Sequence, residues 1–188
     1  IRECATALLE GGARLLQFRH KAFWDKATAA DLEWLSAECA AAGCQLVVND
    51  RADLAAVFTA GLHVGQDDLP LAEARRILGD RLLGYSTHNA EQLLAGEAEP
   101  ADYLALGPVY PTVSKARPDP VVGLEQLQRL CAAARKPVVA IGGITLERAP
   151  EVWRAGAASI ALISDLYAEG AAPARIRQRM EQWLALAN

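Results

Sequence analysis

Seven short apolar runs in this 188-residue chain are each followed by residues able to do chemistry. Gln17, Arg19 and Lys21 follow the first, and Asn49, Asp50 and Arg51 the second. Gly65, Gln66 and Asp68 follow the third, and Ser86 and His88 the fourth. Thr112, Ser114 and Lys115 lie in a long loop after the fifth, Gly142 and Gly143 follow the sixth, and Ser164 follows the seventh. Arg19, Lys21 and Lys115 combine a planar guanidinium with two point charges, a mixture suited to a diphosphate. Asp50 and Asp68 are hard oxygen ligands of the kind that hold Mg²⁺ against phosphate oxygens. Gly142-Gly143 and Ser164 suit a phosphate, because glycine lets backbone N–H groups approach the oxygens and a helix beginning at Ser164 would add positive potential. Ordinary turns and helix caps explain one or two such clusters, but not seven in succession.

These groups must be positioned by the elements that precede them. Apolar residues at helical spacing alternate with short Val-, Ile- and Leu-rich runs. Helices are expected over 2–11, 28–42 (opened by Thr28 or Asp31 and closed by Gly43), 52–60 (ending at Gly61), 71–78, 89–95, 123–134, 146–155 and towards the C-terminus. Strands are expected over 14–18, 45–48, 62–64, 82–86, 102–106, 137–141 and 158–163. Such alternation specifies right-handed βαβ units and a parallel sheet. No G-x-G-x-x-G or P-loop sequence occurs, which favours a closed barrel over an open nucleotide-binding sheet. Seven strands preceded by a lone helix are what a (β/α)8 TIM barrel shows if its first strand lies upstream of Ile1. That expectation agrees with Met180 being the only methionine. The clusters then share the C-terminal face, where barrel enzymes build active sites.

Composition narrows the partners. With 19 Lys and Arg against 23 Asp and Glu, the net charge of −4 provides no basic field for nucleic acid or an anionic membrane. No apolar run has the length of a membrane span, and no basic-then-apolar leader opens the chain, so a cytoplasmic protein acting on small molecules is expected. Cys4, Cys39, Cys44 and Cys131 form no C-x-x-C pair and read as buried reduced thiols. His20, His63 and His88 never adopt the spacing of a helical zinc pair. The four tryptophans read as packing residues, and a homodimer stays open.

The runs LQFRHK (Leu16 to Lys21), VNDRADLA (Val48 to Ala55), GLHVGQDDLP (Gly61 to Pro70), GYSTHN (Gly84 to Asn89), GPVYPTVSK (Gly107 to Lys115), VAIGGI (Val139 to Ile144) and ALIS (Ala161 to Ser164) together resemble the thiamine phosphate synthase family. The resemblance spans residues 1 to about 170 in order and spacing. It implies one (β/α)8 barrel domain over 1–188, and a transferase that joins hydroxymethylpyrimidine diphosphate to thiazole phosphate with Mg²⁺, releasing pyrophosphate. By its motifs Gln17, Arg19, Lys21, Asn49, Ser86 and Lys115 would hold the pyrimidine diphosphate, with Arg19, Lys21, Ser86 and Lys115 acting in catalysis. Asp50 and Asp68 would hold Mg²⁺, and Thr112, Ser114, Gly143, Ile163 and Ser164 the thiazole phosphate. Ser114 stands where the family often has threonine and keeps the hydroxyl. Two other readings remain: a thiazole tautomerase-like isomerase with His88 as acid and base, and a non-catalytic phosphate-ligand-binding barrel.

Overall fold

The computed structural model describes residues 1–112, 119–167 and 171–187. Seven strands alternate with helices among them: α1 (Arg2–Glu10), β1 (Leu15–Phe18), α2 (Lys26–Ala42), β2 (Gln45–Asn49), α3 (Ala52–Val57), β3 (Gly61–Val64), α4 (Leu71–Leu78), β4 (Leu83–Thr87), α5 (Ala90–Gly96), β5 (Tyr103–Leu106), α6 (Gly123–Ala133), β6 (Val138–Ile141), α7 (Ala149–Arg154), β7 (Ser159–Ala161) and α8 (Pro173–Ala187). This is the α/β fold expected, a succession of strand–helix repeats one short of the eight in a (β/α)8 TIM barrel. No described helix is long and apolar enough to cross a membrane. The chain divides into two compact units.

The first unit comprises Ile1–His63, Ile77–Leu82 and the described part of Leu166–Asn188. Its strands run parallel, with Phe18 beside Val48 and Asn49 beside His63. Leu46, Val47 and Val48 are all buried, as expected of a parallel strand covered on both faces. Because Phe18 and Val48 are in register, the chain leaves β1 and β2 at the same end. Helix α1 packs against α8 so closely that a Cβ on Gly11 would lie 2.8 Å from the Met180 Cβ.

Several local boundaries differ from expectation for identifiable reasons. Helix α2 starts earlier, at Lys26, because the Asp25 carboxylate accepts the Thr28 N–H at 2.8 Å and caps the first turn; neither Thr28 nor Asp31 is the cap. Gly43 closes the helix in the left-handed region at φ 66° as expected. Helix α3 ends at Val57, and the reversal after it is made by Thr59 at φ 54°. Gly61 therefore does not stop a helix. It lies in β3, where a Cβ would sit 2.8 Å from the Leu82 carbonyl oxygen.

The second unit comprises Val64–Arg76 and Leu83–Asp165. Parallel registers pair Thr87 with Leu106, Leu106 with Ala140 and Ile141 with Ala161. Leu83, Leu93, Leu104, Leu106, Val109 and Leu127 form its water-free core. Strand β7 is shorter than expected, so Ile163 and Ser164 lie beyond it in a bend and turn. The helix expected to start at Ser164 does not form there; α8 starts at Pro173, whose fixed φ and missing N–H suit a first helical turn. All four cysteines are free thiols. Cys39 and Cys44 are buried as expected, but Cys4 and Cys131 are half-buried, one on each of the amphipathic helices α1 and α6.

Candidate active site

In the first unit the expected site residues lie at the ends of β1 and β2. Gln17 is exposed on β1, and Arg19 and Lys21 are exposed in the segment that follows. Trp24 anchors this segment. Its ring lies 5.7 Å from Phe18 and 5.3 Å from His20, and the Arg51 guanidinium covers it at 4.9 Å. Arg51 is also paired with Asp53, which holds the Asp53 carboxyl below its usual range. Arg51 is thereby engaged in structure at its own end of β2. Lys21 reaches back to form an ion pair with the Asp50 carboxylate.

Asp50 is not the cap of the next helix, whose N-cap position is Arg51 with no side-chain hydrogen bond. Its backbone sits in the left-handed region at φ 63°, its N–H donates to the His63 carbonyl at 2.8 Å, and the Arg51 N–H donates to the Asn49 carbonyl at 2.8 Å. Aspartate is, with asparagine, the non-glycine type that best tolerates this region, so the position suits the residue that presents the carboxylate. Next to it, Asn49 is only 8% exposed, and its buried side-chain N–H₂ has no hydrogen-bond partner among the described residues. An unsatisfied buried donor costs about 1–3 kcal/mol, and a ligand acceptor would satisfy it.

In the second unit the expected site residues follow the ends of β3 to β7. After β3 the Gly65 N–H donates to an Asp68 carboxylate oxygen at 2.7 Å, fixing the turn that carries Asp68. The Gln66 amide donates to the Ser86 carbonyl at 2.6 Å, and Ser86 is half-buried near the end of β4. The His88 N–H donates to the Gln92 side chain at 2.8 Å. Its ring Nδ1 lies 2.9 Å from the Gly107 carbonyl, which can only accept, so Nδ1 carries the proton. The Asp119 carboxylate stands 3.5 Å from the same nitrogen. His88 thus joins the end of β4 to the segment after β5.

The turn after β6 has a consistent orientation. The Ile141 carbonyl accepts from the Val109 N–H at 2.9 Å, the Gly142 carbonyl from the Tyr110 N–H at 3.0 Å, and the Gly143 carbonyl from the Arg148 guanidinium at 2.8 Å. In a trans peptide the next residue's N–H points opposite to the carbonyl. The N–H groups of Gly142, Gly143 and Ile144 consequently point away from these donors, as an anion cradle requires. Gly142 and Gly143 have φ of 97° and 64°. A Cβ on Gly143 would fall 2.5 Å from the Pro111 carbonyl oxygen. Only glycine fits the turn.

The expected site residues fall into two groups. Gln17, Arg19, Lys21, Asn49 and Asp50 lie at strand ends of the first unit, where Lys21 and Asp50 touch. Asp68, Ser86, Thr112, Gly143, Ile163 and Ser164 lie at or beyond strand ends of the second, with Ile163 and Ser164 exposed. Ser114 and Lys115 fall outside the described residues. No group of three or more His, Cys, Asp and Glu side chains suited to a metal occurs among the described residues. Taken singly, the Asp50 and Asp68 carboxylates are each hard oxygen donors of the kind Mg²⁺ accepts, since that ion is held by one or two carboxylates with phosphate and water completing the shell. Sequence reasoning missed the carbonyl clamp by Arg148, since nothing local marks a contact five residues along the chain.

A family profile described as thiamine monophosphate synthase matches residues 1–166. The thiamine-phosphate synthase of Koribacter versatilis is 43% identical over 187 residues, covering 97% of this chain and 84% of its own. That of Chloroflexus aurantiacus is 40% identical over 178 residues, covering 94% and 82%. Among solved structures, thiamine phosphate pyrophosphorylase from Pyrococcus furiosus superposes with a TM-score of 0.87 at 31% identity, over 98% of this chain and 87% of that one.

Proposed function

The chain belongs to the thiamine monophosphate synthase family, transferases of thiamine biosynthesis, and from that premise we propose that residues 1–188 act as one barrel domain on two small-molecule substrates. It couples 4-amino-2-methyl-5-hydroxymethylpyrimidine diphosphate to thiazole phosphate, giving thiamine phosphate and pyrophosphate. The observation that supports this reading best is the Gly142-Gly143 turn, whose carbonyls are engaged by protein donors and whose N–H groups meet no acceptor among the described residues, as a phosphate cradle requires.

In the proposed mechanism the C–O bond to the diphosphate breaks first, its electron pair leaves with pyrophosphate, and the pyrimidine ring stabilises the methylene cation. Arg19, Lys21 and Lys115 lower the barrier by matching charge that grows on the departing oxygens. Lys21 now neutralises Asp50, and its half-exposed ammonium is free to exchange that carboxylate for a diphosphate oxygen. The Asn49 amide and the Ser86 hydroxyl orient the pyrimidine diphosphate, and Gln17 lines the same strand end as Arg19. Asp50 and Asp68 are the residues that would hold Mg²⁺, which when bound supplies Lewis-acid stabilisation of the leaving group. Thr112, Ser114, Gly143, Ile163 and Ser164 hold the thiazole phosphate, so that the ring nitrogen meets the cation in a fixed orientation. The nitrogen's lone pair forms the new C–N bond, and no protein nucleophile takes part.

The tautomerase alternative depends on His88, whose Nδ1–H is held by the Gly107 carbonyl and whose main chain is tied to Gln92. That contact fixes the tautomer and orients the ring, so the choice between the two readings rests on the diphosphate chemistry. The deciding experiment is pyrophosphate release from the pyrimidine diphosphate, with and without thiazole phosphate, in Mg²⁺ or in EDTA. Release that requires both thiazole phosphate and Mg²⁺ is expected. No release from a protein that still binds thiazole phosphate would overturn the synthase reading.

A further inference from the structure

We propose that Arg148, with Tyr110 and Glu151, is a positioning group for the phosphate turn, holding the peptide planes that aim the Gly143 and Ile144 N–H groups. The proposal rests on the synthase reading for the identity of the phosphate it serves, but its geometry is independent of that identity.

Arg148 immediately precedes α7, and its guanidinium makes two different contacts. One Nη donates to the Gly143 carbonyl at 2.8 Å, and the planar group covers the Tyr110 ring at 4.5 Å. Tyr110 is fixed at both ends. Its main-chain N–H donates to the Gly142 carbonyl at 3.0 Å, and its hydroxyl donates to the Glu151 carboxylate. Burial, and then Glu151, push that phenol up to about 12, so it remains a donor throughout the neutral range. Glu151 and Arg148 both belong to the entry of α7, so one short stretch of chain holds both the turn and the tyrosine stacked behind it.

The physical consequence follows from peptide planarity. The Gly143–Ile144 plane is otherwise soft, because glycine accepts positive and negative φ with similar ease. Without Arg148 the Gly143 carbonyl has no charged donor and the plane can rotate. The Ile144 N–H then leaves the orientation that a phosphate oxygen needs. Arg148 itself does not touch the phosphate: it lies on the carbonyl side of the plane, opposite the N–H. Lysine keeps a donor for the carbonyl but loses the flat stacking on Tyr110, so it should restore part of the effect.

The test uses two readouts on wild type, Arg148→Ala, Arg148→Lys, Tyr110→Phe and, as a surface control, Arg129→Ala. Inorganic phosphate is titrated into glycine- and isoleucine-¹⁵N-labelled protein while the Gly142, Gly143 and Ile144 amide resonances are followed. Steady-state KM is then measured separately for thiazole phosphate and pyrimidine diphosphate. Arg148→Ala should weaken phosphate at the Gly143 amide by roughly tenfold and raise KM for thiazole phosphate similarly. KM for the pyrimidine diphosphate and the saturated rate should stay within about twofold. Arg148→Lys should recover part of the loss, and Arg129→Ala should match wild type. Unchanged phosphate affinity in Arg148→Ala, an equal rise in both KM values, or no phosphate response at Gly143 in wild type would overturn the positioning role. Failure of the wild type to release pyrophosphate would instead overturn the synthase reading, and the amide titration alone would then decide whether Arg148 positions the turn.

Discussion

Lys21 and Asp50 form an ion pair at the ends of the neighbouring strands β1 and β2, with side chains 53% and 21% exposed. Pairs this open contribute about 0–1 kcal/mol to stability, so stability gives little reason for the contact, and under the proposed function it stores two opposite charges for the diphosphate. Asp50→Asn removes the carboxylate's charge while keeping a residue that tolerates positive φ. Its melting temperature should stay within a few degrees of wild type, while pyrophosphate release falls by roughly 100-fold or more. A stability loss as large as the activity loss, measured by thermal unfolding, would make Asp50 a structural residue.

The buried Asn49 amide sets a similar opposition between stability and binding. Replacing it with leucine removes a donor that the described residues leave unsatisfied and fills the space with an apolar group. The free protein should therefore lose less than about 1 kcal/mol, or gain stability, in urea unfolding. Affinity for the pyrimidine diphosphate should drop roughly tenfold or more, since one hydrogen bond to a charged group is worth about 1.5–3 kcal/mol. A variant that binds as tightly as wild type would show that the amide faces no ligand.

The parts of this molecule that are legible in the sequence are those fixed by local physics. Gln45 to Val48 reads as a strand because its middle is apolar on both faces, and Gly43 marks the end of α2 because only a left-handed residue closes that turn. The polar residues after each run are visible for the same reason. Expectation and structure part where a distant contact or a competing cap decides. Gly61 resembles a helix stop, yet its small size is required by the Leu82 carbonyl. Thr28 has a capping side chain, but it supplies the N–H that the Asp25 carboxylate accepts one turn earlier. Ser164 follows a strand but does not start a helix, and the clamp of Arg148 on Gly143 joins groups that no periodicity brings together.

Tyr110 gives the stability a dependence on alkaline pH. Burial and the neighbouring Glu151 raise its folded pKa to about 12, above the ordinary value near 10. The fold therefore favours the neutral phenol, and this contribution is fully present below about pH 10 and is lost as pH rises through about 12. In urea unfolding, wild type should lose stability across that window more steeply than Tyr110→Phe. Equal slopes would show that the phenol is not held protonated by the fold. At neutral pH the phenylalanine variant should be weaker by about 1 kcal/mol, one hydrogen bond's worth.

Three glycines at positive φ separate conformational strain from lack of space. Gly79 has φ 65° with nothing within 4 Å of an added Cβ, whereas Gly142 at φ 97° would place that atom 2.6 Å from the Pro108 Cβ. Gly143 at φ 64° would place it 2.5 Å from the Pro111 carbonyl oxygen, which belongs to backbone and cannot turn aside. Gly79→Ala should cost only the backbone penalty, about 1 kcal/mol. Gly142→Ala and Gly143→Ala should cost about 1–3 kcal/mol more, because the segment after β5 must move to admit the methyl group. Activity separates them further. Gly79→Ala should keep wild-type kinetics, while Gly143→Ala should raise KM for thiazole phosphate, since its own N–H and that of Ile144 are displaced together with the backbone. Should Gly143→Ala be less stable yet bind thiazole phosphate normally, the turn is a packing device and the phosphate lies elsewhere.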